Sequence, residues 1–262
     1  MFSWDAVRYL AHAGHRGRPF LDLVAQVRAD APADVVDLGC GPGNLTRVLA
    51  ERWPHARVRG VDSSPEMVEA ARRSSEGVDG VEFEVADLRD WLQRGGQVDV
   101  VVSNATLQWV PGHFDLLPRL VDRVRPGGWL ALQVPANFHE PSHTIYGGLA
   151  GEAPYAEHVG DVAVPASHEP GVYLAALAEA GCEADVWETT YLHVLTGEDP
   201  VFSWISGTGA RPTLQALPDD LRPEFERELK ARLRAAYPDS GQGVVMPFRR
   251  VFAVAQRAGE SS

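Results

Sequence analysis

The stretch VVDLGCGPGNLT, Val35 to Thr46, constrains the fold more than any other: an apolar β-branched run carries a carboxylate near its end and meets three glycines spaced two apart. Glycines there permit a sharp strand-to-helix turn and let a ligand approach the backbone, because no Cβ stands in the way. The rest of the chain repeats that strand-loop-helix alternation. Strands are expected at 34–38, 58–62, 81–87, 99–104 and 129–135. Helical spacing runs through LTRVLAERW, capped by Asn44, through SSPEMVEAARR, opened by a Ser63–Glu66 capping box, and through HFDLLPRLVDRV, which Pro118 interrupts. RPGGW at 125–129 reads as a turn feeding the fifth strand. The class is therefore α/β, a doubly wound, mostly parallel sheet.

Regular alternation stops after Pro135, and residues 136–168 carry prolines, glycines, aromatics and four histidines, which reads as an insert or lid. A helix at 170–181 ended by Gly181, a strand at 183–195, helices across 198–243 and a last strand at 246–257 follow, for seven strands. At 262 residues the chain suits a single domain with a ligand-binding core at about 30–135. A formal charge of -12 argues against broad attraction to nucleic acid or an anionic membrane. Neither a leader-like N-terminus nor an apolar run of spanning length is visible, so a cytoplasmic location is expected. Cys40 and Cys182 are too few for a disulfide framework or a thiolate zinc site. His139, His143, His158 and His168 lack the helical spacing of metal ligands and read as polar lid residues, so no metal is expected.

The glycine loop departs from the dinucleotide fingerprint, because Asn44 stands where its third glycine belongs and Pro42 removes an N–H needed to cradle a pyrophosphate. Asp37 would repel phosphates but suits a cationic ligand. S-adenosylmethionine carries an ammonium and a sulfonium and no phosphate. Asp62 ends the second strand, where a carboxylate accepts the hydrogen bonds of a ribose diol. Asp87 ends the third strand within reach of an adenine amino group, and Asn104 ends the fourth. Each alone could merely cap a helix, but four at successive strand ends mark the edge where open α/β sheets bind ligands.

With these residues the chain resembles the class I S-adenosylmethionine-dependent methyltransferases, whose Rossmann-like sheet has the strand order 3-2-1-4-5-7-6 with the seventh strand antiparallel. The resemblance implies that Asp37, Gly39, Gly41 and Gly43 line the methionine moiety, Asp62 binds the ribose, and Asp87 with Leu88 meets adenine. Cys40, Ser63, Met67, Asn104, Trp109 and Arg18 complete the expected cofactor set. The segments YLAHAGHRGRP, RWPHARVRGVDSSPEM, SNATLQWVPGH, EAGCEADVWETTYLH and FRRVFAVA are similar, more narrowly, to the trans-aconitate 2-methyltransferases. That family turns one carboxylate of trans-aconitate into a monomethyl ester.

Carboxylate methylation needs no general base, because the nucleophile is already ionised at neutral pH. It needs cationic clamps for the other carboxylates, and arginine forks suit them. The candidates are Arg16 and Arg18 near the N-terminus, Arg211, and Arg249 or Arg250 in the last strand, a pair that period-two alternation sends to opposite faces so that only one reaches the pocket; Arg249 is taken as that one. Tyr191 is expected to help position, and His143 and Trp204 to meet substrate, while Tyr9 and Arg16 or Arg18 would come from an N-terminal arm. The expected product is S-adenosylhomocysteine, the partner a small polycarboxylate, and the protein a monomer. Alternatives are an O- or C-methyltransferase for another small molecule and a sensor that binds the cofactor without turnover.

Overall fold

The structure, a computed structural model, describes residues 13–160 and 162–259. After helix α1 (Ala13–Ala25) come β1 (Asp34–Leu38), α2 (Thr46–Arg52), β2 (Arg57–Asp62), α3 (Pro65–Ser74), β3 (Val81–Val85), α4 (Leu88–Gln93), β4 (Val98–Asn104), α5 (Leu117–Asp122) and β5 (Val124–Pro135). Then follow α6 (Pro141–Ala150), α7 (Pro170–Glu179), β6 (Cys182–Leu195), α8 (Pro200–Ser206), α9 (Arg211–Ala216), α10 (Arg222–Ala236) and β7 (Val244–Arg257). The seven strands form one sheet in the order β3-β2-β1-β4-β5-β7-β6, and β1 to β5 pair in parallel. Both faces of the central strands are buried: Val35, Val36, Leu38, Val100, Val101 and Val102 are fully buried. Continuous valine runs are the sequence form of strands covered on two sides.

The far end of the sheet is fixed by one carboxylate. Asp99 Oδ2 accepts the backbone N–H groups of Ala33 and Asp34, each at 2.8 Å, and Asp99 Oδ1 accepts from Arg125 at 2.7 Å. Locking the starts of β1 and β4 fixes the register at which their other ends emerge. That register pairs Asp37 with Gly60 and with Val102.

Several local expectations shift. The helix after the glycine loop is bounded by Leu45, not Asn44, and lacks a side-chain cap; its first residue, Thr46, turns its hydroxyl to Asp37 instead. The next cap is Ser64, one residue past the expected Ser63; it accepts from Met67 N–H, because Asp62 Oδ1 takes the Ser64 N–H and fixes the turn. β3 stops at Val85 and Asp87 caps α4. Residues 125–128 are a bulge inside β5 and not a turn before it: pairing with β4 moves from Val98↔Val124 directly to Val100↔Trp129. Gly128 fits there because a Cβ would lie 2.6 Å from the Asp99 carbonyl oxygen. The expected irregular segment contains a ten-residue helix, α6.

The chain divides into two compact units. A sheet unit holds the residues up to Val134, Ser167–Glu188 and Val251 onward; a helical unit holds Pro135–Ala166 and Thr189–Arg250. The helical unit joins the expected insert and the expected C-terminal helices in one body. Its core is Trp204, Ile205, Phe225, Leu229, Leu233 and Met246, with α10 supplying Phe225, Leu229 and Leu233 four residues apart on one face. Among the described residues no helix is long and apolar enough to cross a membrane.

Leu38 is fully buried at the end of the central strand. Leu38→Ala should cost about 2–5 kcal/mol of unfolding free energy, read from the shift of a urea denaturation midpoint.

Candidate active site

The β1 exit is built around glycines with positive φ: Gly39 at 79°, Gly41 at 54° and Gly43 at 78°. Gly39 and Gly43 are closely packed, since a Cβ would lie 2.0 Å from Thr106 Oγ1 at the first and 2.7 Å from the Ala71 Cβ at the second. Gly41 differs: among the described residues a Cβ there would meet nothing within 4 Å. The backbone at Gly41 therefore faces open space of the kind a ligand occupies. The N–H groups of Gly39 and Cys40 both bond the Val61 carbonyl, at 2.7 and 3.1 Å, and Gly41 N–H bonds Asp62 Oδ2 at 2.9 Å. Cys40 turns its side chain into a cluster with Val68, Ala71 and Phe83, so what it offers a ligand is backbone.

Around that opening the structure gathers the strand ends. Asp37 is 2% exposed and accepts from Thr46 Oγ1 at 2.7 Å. Burial pushes its carboxyl up to about 7; the Thr46 bond holds it back and the charge of Asp62 adds to the rise. Burial also raises Asp62, against which the N–H groups of Ser64 and Gly41 pull down. Both Asp62 oxygens are engaged by backbone N–H, from Gly41 and Ser64, and a carboxylate has further acceptor capacity for a hydroxyl donor. Met67 is buried at the start of α3 and Ser63 is exposed. Asp87 spends Oδ1 on the Arg89 N–H at 2.7 Å, and Leu88 is buried. Asn104 is 8% exposed, and its buried Oδ1 has no hydrogen-bond partner.

The fourth strand end carries features that sequence reasoning missed. Ala105 has a φ of 54°. Thr106 Oγ1 lies 3.2 Å from the Asn104 carbonyl and 3.3 Å from that of Gly39, and Gln108 Nε2 donates to the Ala105 carbonyl at 2.7 Å. Nothing in SNATLQW marks an alanine for left-handed backbone, which is the province of Gly, Asn and Asp. Trp109 ends the short 3-10 turn that follows, Leu107–Trp109. A buried carboxylate, a half-buried one and an amide oxygen lacking a donor among the described residues make an acceptor set that fits a cationic, hydroxyl-bearing ligand.

The remaining candidates are divided. Arg18 lies in α1, exposed, with its guanidinium 3.7 Å from Asp22; Tyr9 and the Arg16 side chain lie outside the described residues. Arg211, Arg249, Tyr191, His143 and Trp204 belong to the helical unit. Arg211 is 8% exposed at the start of α9. The strand pair alternates as expected, but Arg250 is the buried member, 4% exposed and 4.5 Å over the Phe248 ring, while Arg249 is half-buried. Trp204 is 1% exposed, stacked at 4.9 Å on His193, and the Tyr191 ring stacks on the same histidine at 6.2 Å. These two rings are core before they are contacts. His143 lies 3.1 Å from Ser142 Oγ, and burial pushes it down to about 4, so at neutral pH it is an uncharged ring and not an anion clamp. It lines a cavity of about 410 Å³ with Phe138, Tyr146, Gly209 and Thr213.

The family model described as a methyltransferase domain matches residues 35–128, the part that holds these strand ends. The chain is 52% identical to the trans-aconitate 2-methyltransferase of Streptomyces coelicolor, across 97% of this chain and 87% of that protein. With the enzyme of Streptomyces avermitilis the identity is 51%, across 97% of both. This chain belongs to the trans-aconitate 2-methyltransferase family. It is a methyltransferase. The solved structures agree in fold: a protein from Bacillus halodurans superposes with a TM-score of 0.58 at 16% identity, covering 92% of this chain and 100% of that one. Geranyl diphosphate C-methyltransferase of Streptomyces coelicolor, solved with Mg²⁺, geranyl diphosphate and S-adenosyl-L-homocysteine, gives 0.52 at 15%, covering 92% and 77%.

Asp37 gives this family member a pH signature. Its folded value lies above the ordinary carboxylate value, so its contribution favours folding fully below about pH 4 and is lost as pH rises to about 7. Urea unfolding at about pH 5 and about pH 8 should show that fall, and Asp37→Asn should flatten it.

Proposed function

We propose that the protein transfers the methyl group of S-adenosylmethionine to a carboxylate oxygen of trans-aconitate or a close polycarboxylate, forming a monomethyl ester. The observation that carries this reading is identity of about half the residues, across nearly the whole length, with proteins named for that reaction. The geometry of the β1 edge supports the cofactor. Asp37 and Asn104 would hold its cationic methionine end, with the Gly39, Gly41 and Gly43 backbone alongside. Asp62 would accept from the ribose hydroxyls through its remaining lone pairs, and Asp87 would accept from the adenine amino group, with Leu88 and Met67 as apolar walls. Trp109, Ser63 and the Cys40 backbone complete this set.

S-adenosylmethionine supplies an electrophilic methyl on a sulfonium; the protein's part is to bring the acceptor oxygen into line at about 3 Å and to exclude water. No side chain need remove a proton, because the acceptor carboxylate is already an anion. Arg211 and one of Arg249 and Arg250 are assigned to the carboxylates that do not react, with Arg16 as a further clamp. A guanidinium fork fixes such a group through two parallel hydrogen bonds, which orients the third carboxylate. Tyr191 and Trp204 would hold the shape of that clamp, and the neutral His143 would offer a hydrogen bond and no charge. Protein, cofactor and a single small acid suffice, so a monomer and a cytoplasmic setting fit the reading.

Mass spectrometry after incubation with S-adenosylmethionine should find one added methyl on trans-aconitate, and far less on cis-aconitate, citrate or a phenol. A phenolic product alone would move the reading to a different acceptor class. Arg211→Ala should raise the KM for the acid by about tenfold or more, the loss of one charge-assisted pair. Arg211→Lys should recover only part of it, because a point charge does not replace the fork.

A further inference from the structure

We propose that Gln108 is a positioning residue: its amide holds the strained Ala105 turn, and through it Asn104 and Thr106, in the geometry the cofactor meets. The inference rests on the reading of this edge as the S-adenosylmethionine site. Ala105 and Asp199 are the two non-glycine residues with positive φ among the described residues. An alanine Cβ crowds the carbonyl oxygen in that conformation, and such strain persists only where neighbours over-determine it.

At Ala105 both backbone groups are held. Its N–H donates to the Gln133 carbonyl at 2.8 Å, and its carbonyl accepts from Gln108 Nε2 at 2.7 Å. Gln133 reaches it from the neighbouring strand β5, whereas Gln108 reaches it from three residues on. Releasing the carbonyl would let the turn relax to an ordinary backbone conformation. Asn104, whose Oδ1 lacks a donor, and Thr106, which bonds the Gly39 carbonyl, flank that turn and would rotate with it.

Gln108 is a poor choice if filling space were its only task. It is 6% exposed, and its buried Oε1 has no partner, a desolvation penalty that leucine or methionine would avoid. Among the described residues its amide N–H makes one bond, to the Ala105 carbonyl. The side chain therefore spends an unpaired acceptor to deliver one donor to a strained carbonyl at the ligand edge.

The test measures S-adenosylhomocysteine binding by calorimetry and methyl transfer to trans-aconitate for wild type, Gln108→Leu, Gln108→Glu, and each combined with Ala105→Gly. Gln108→Leu should raise the cofactor Kd and KM by about tenfold or more while kcat changes less than about threefold. Gln108→Glu, with an acceptor where the donor was, should do the same without changing side-chain length. Glycine at position 105 carries no left-handed penalty, so the combined variants should return to within about threefold of wild type. A Kd within about twofold of wild type for the single variants, or a loss that Ala105→Gly leaves untouched, overturns the proposal. Should Gln108→Leu not fold, Gln108→Glu with and without Ala105→Gly decides it by the same two outcomes. If wild type itself does not bind S-adenosylhomocysteine, the cofactor reading fails first and takes this inference with it.

Discussion

Everything at the ligand edge depends on how β1 ends. The Val61 carbonyl accepts from both Gly39 and Cys40, and Asp62 accepts from Gly41. These bonds tie the exit of β1 to the end of β2 and force three glycines into positive φ. A Cβ at Gly39 or Gly43 would strike neighbouring side chains, so the loop can lie flat against β4 and α3 only because those residues have none. At Gly41, in contrast, a Cβ would meet nothing within 4 Å among the described residues.

The same edge stores unfavourable features that an apolar core would avoid. Asp37 is buried with one hydroxyl partner, Asn104 leaves an oxygen unpaired, and Ala105 is left-handed. Each costs folding free energy, by desolvation at Asp37 and Asn104 and by steric crowding at Ala105. The carboxylate at Asp99, at the opposite ends of the strands, is by contrast fully used in tying β1, β4 and Arg125 together.

The seven strands were legible from the apolar runs, because a strand buried on both faces leaves an unbroken apolar signature; their order came only with the family resemblance, which rests on the D-x-G-x-G-x-G loop and on segments along the whole chain. The row of polar strand ends was legible for a related reason: the sheet's topology delivers consecutive strand ends to one line, so Asp37, Asp62, Asp87 and Asn104 can be listed before their contacts are known. Caps were less legible. Ser63 and Ser64 are chemically equivalent caps, and the choice of Ser64 follows from a bond that Asp62 makes to its N–H. The bulge at 125–128 was hidden for a similar reason, since Pro-Gly-Gly reads as a turn wherever it stands.

The sequence by itself determined the sheet, the glycine turn and the charge character of the ligand edge, since these follow from side-chain periodicity and from backbone freedom that a residue either has or lacks. Only the tertiary structure decided that Arg250, not Arg249, is the buried arginine of β7, that His143 is held neutral by burial, and that Ala105 is strained under the Gln108 amide. Burial, protonation and strain are set by neighbours distant in the chain, and no local pattern encodes them.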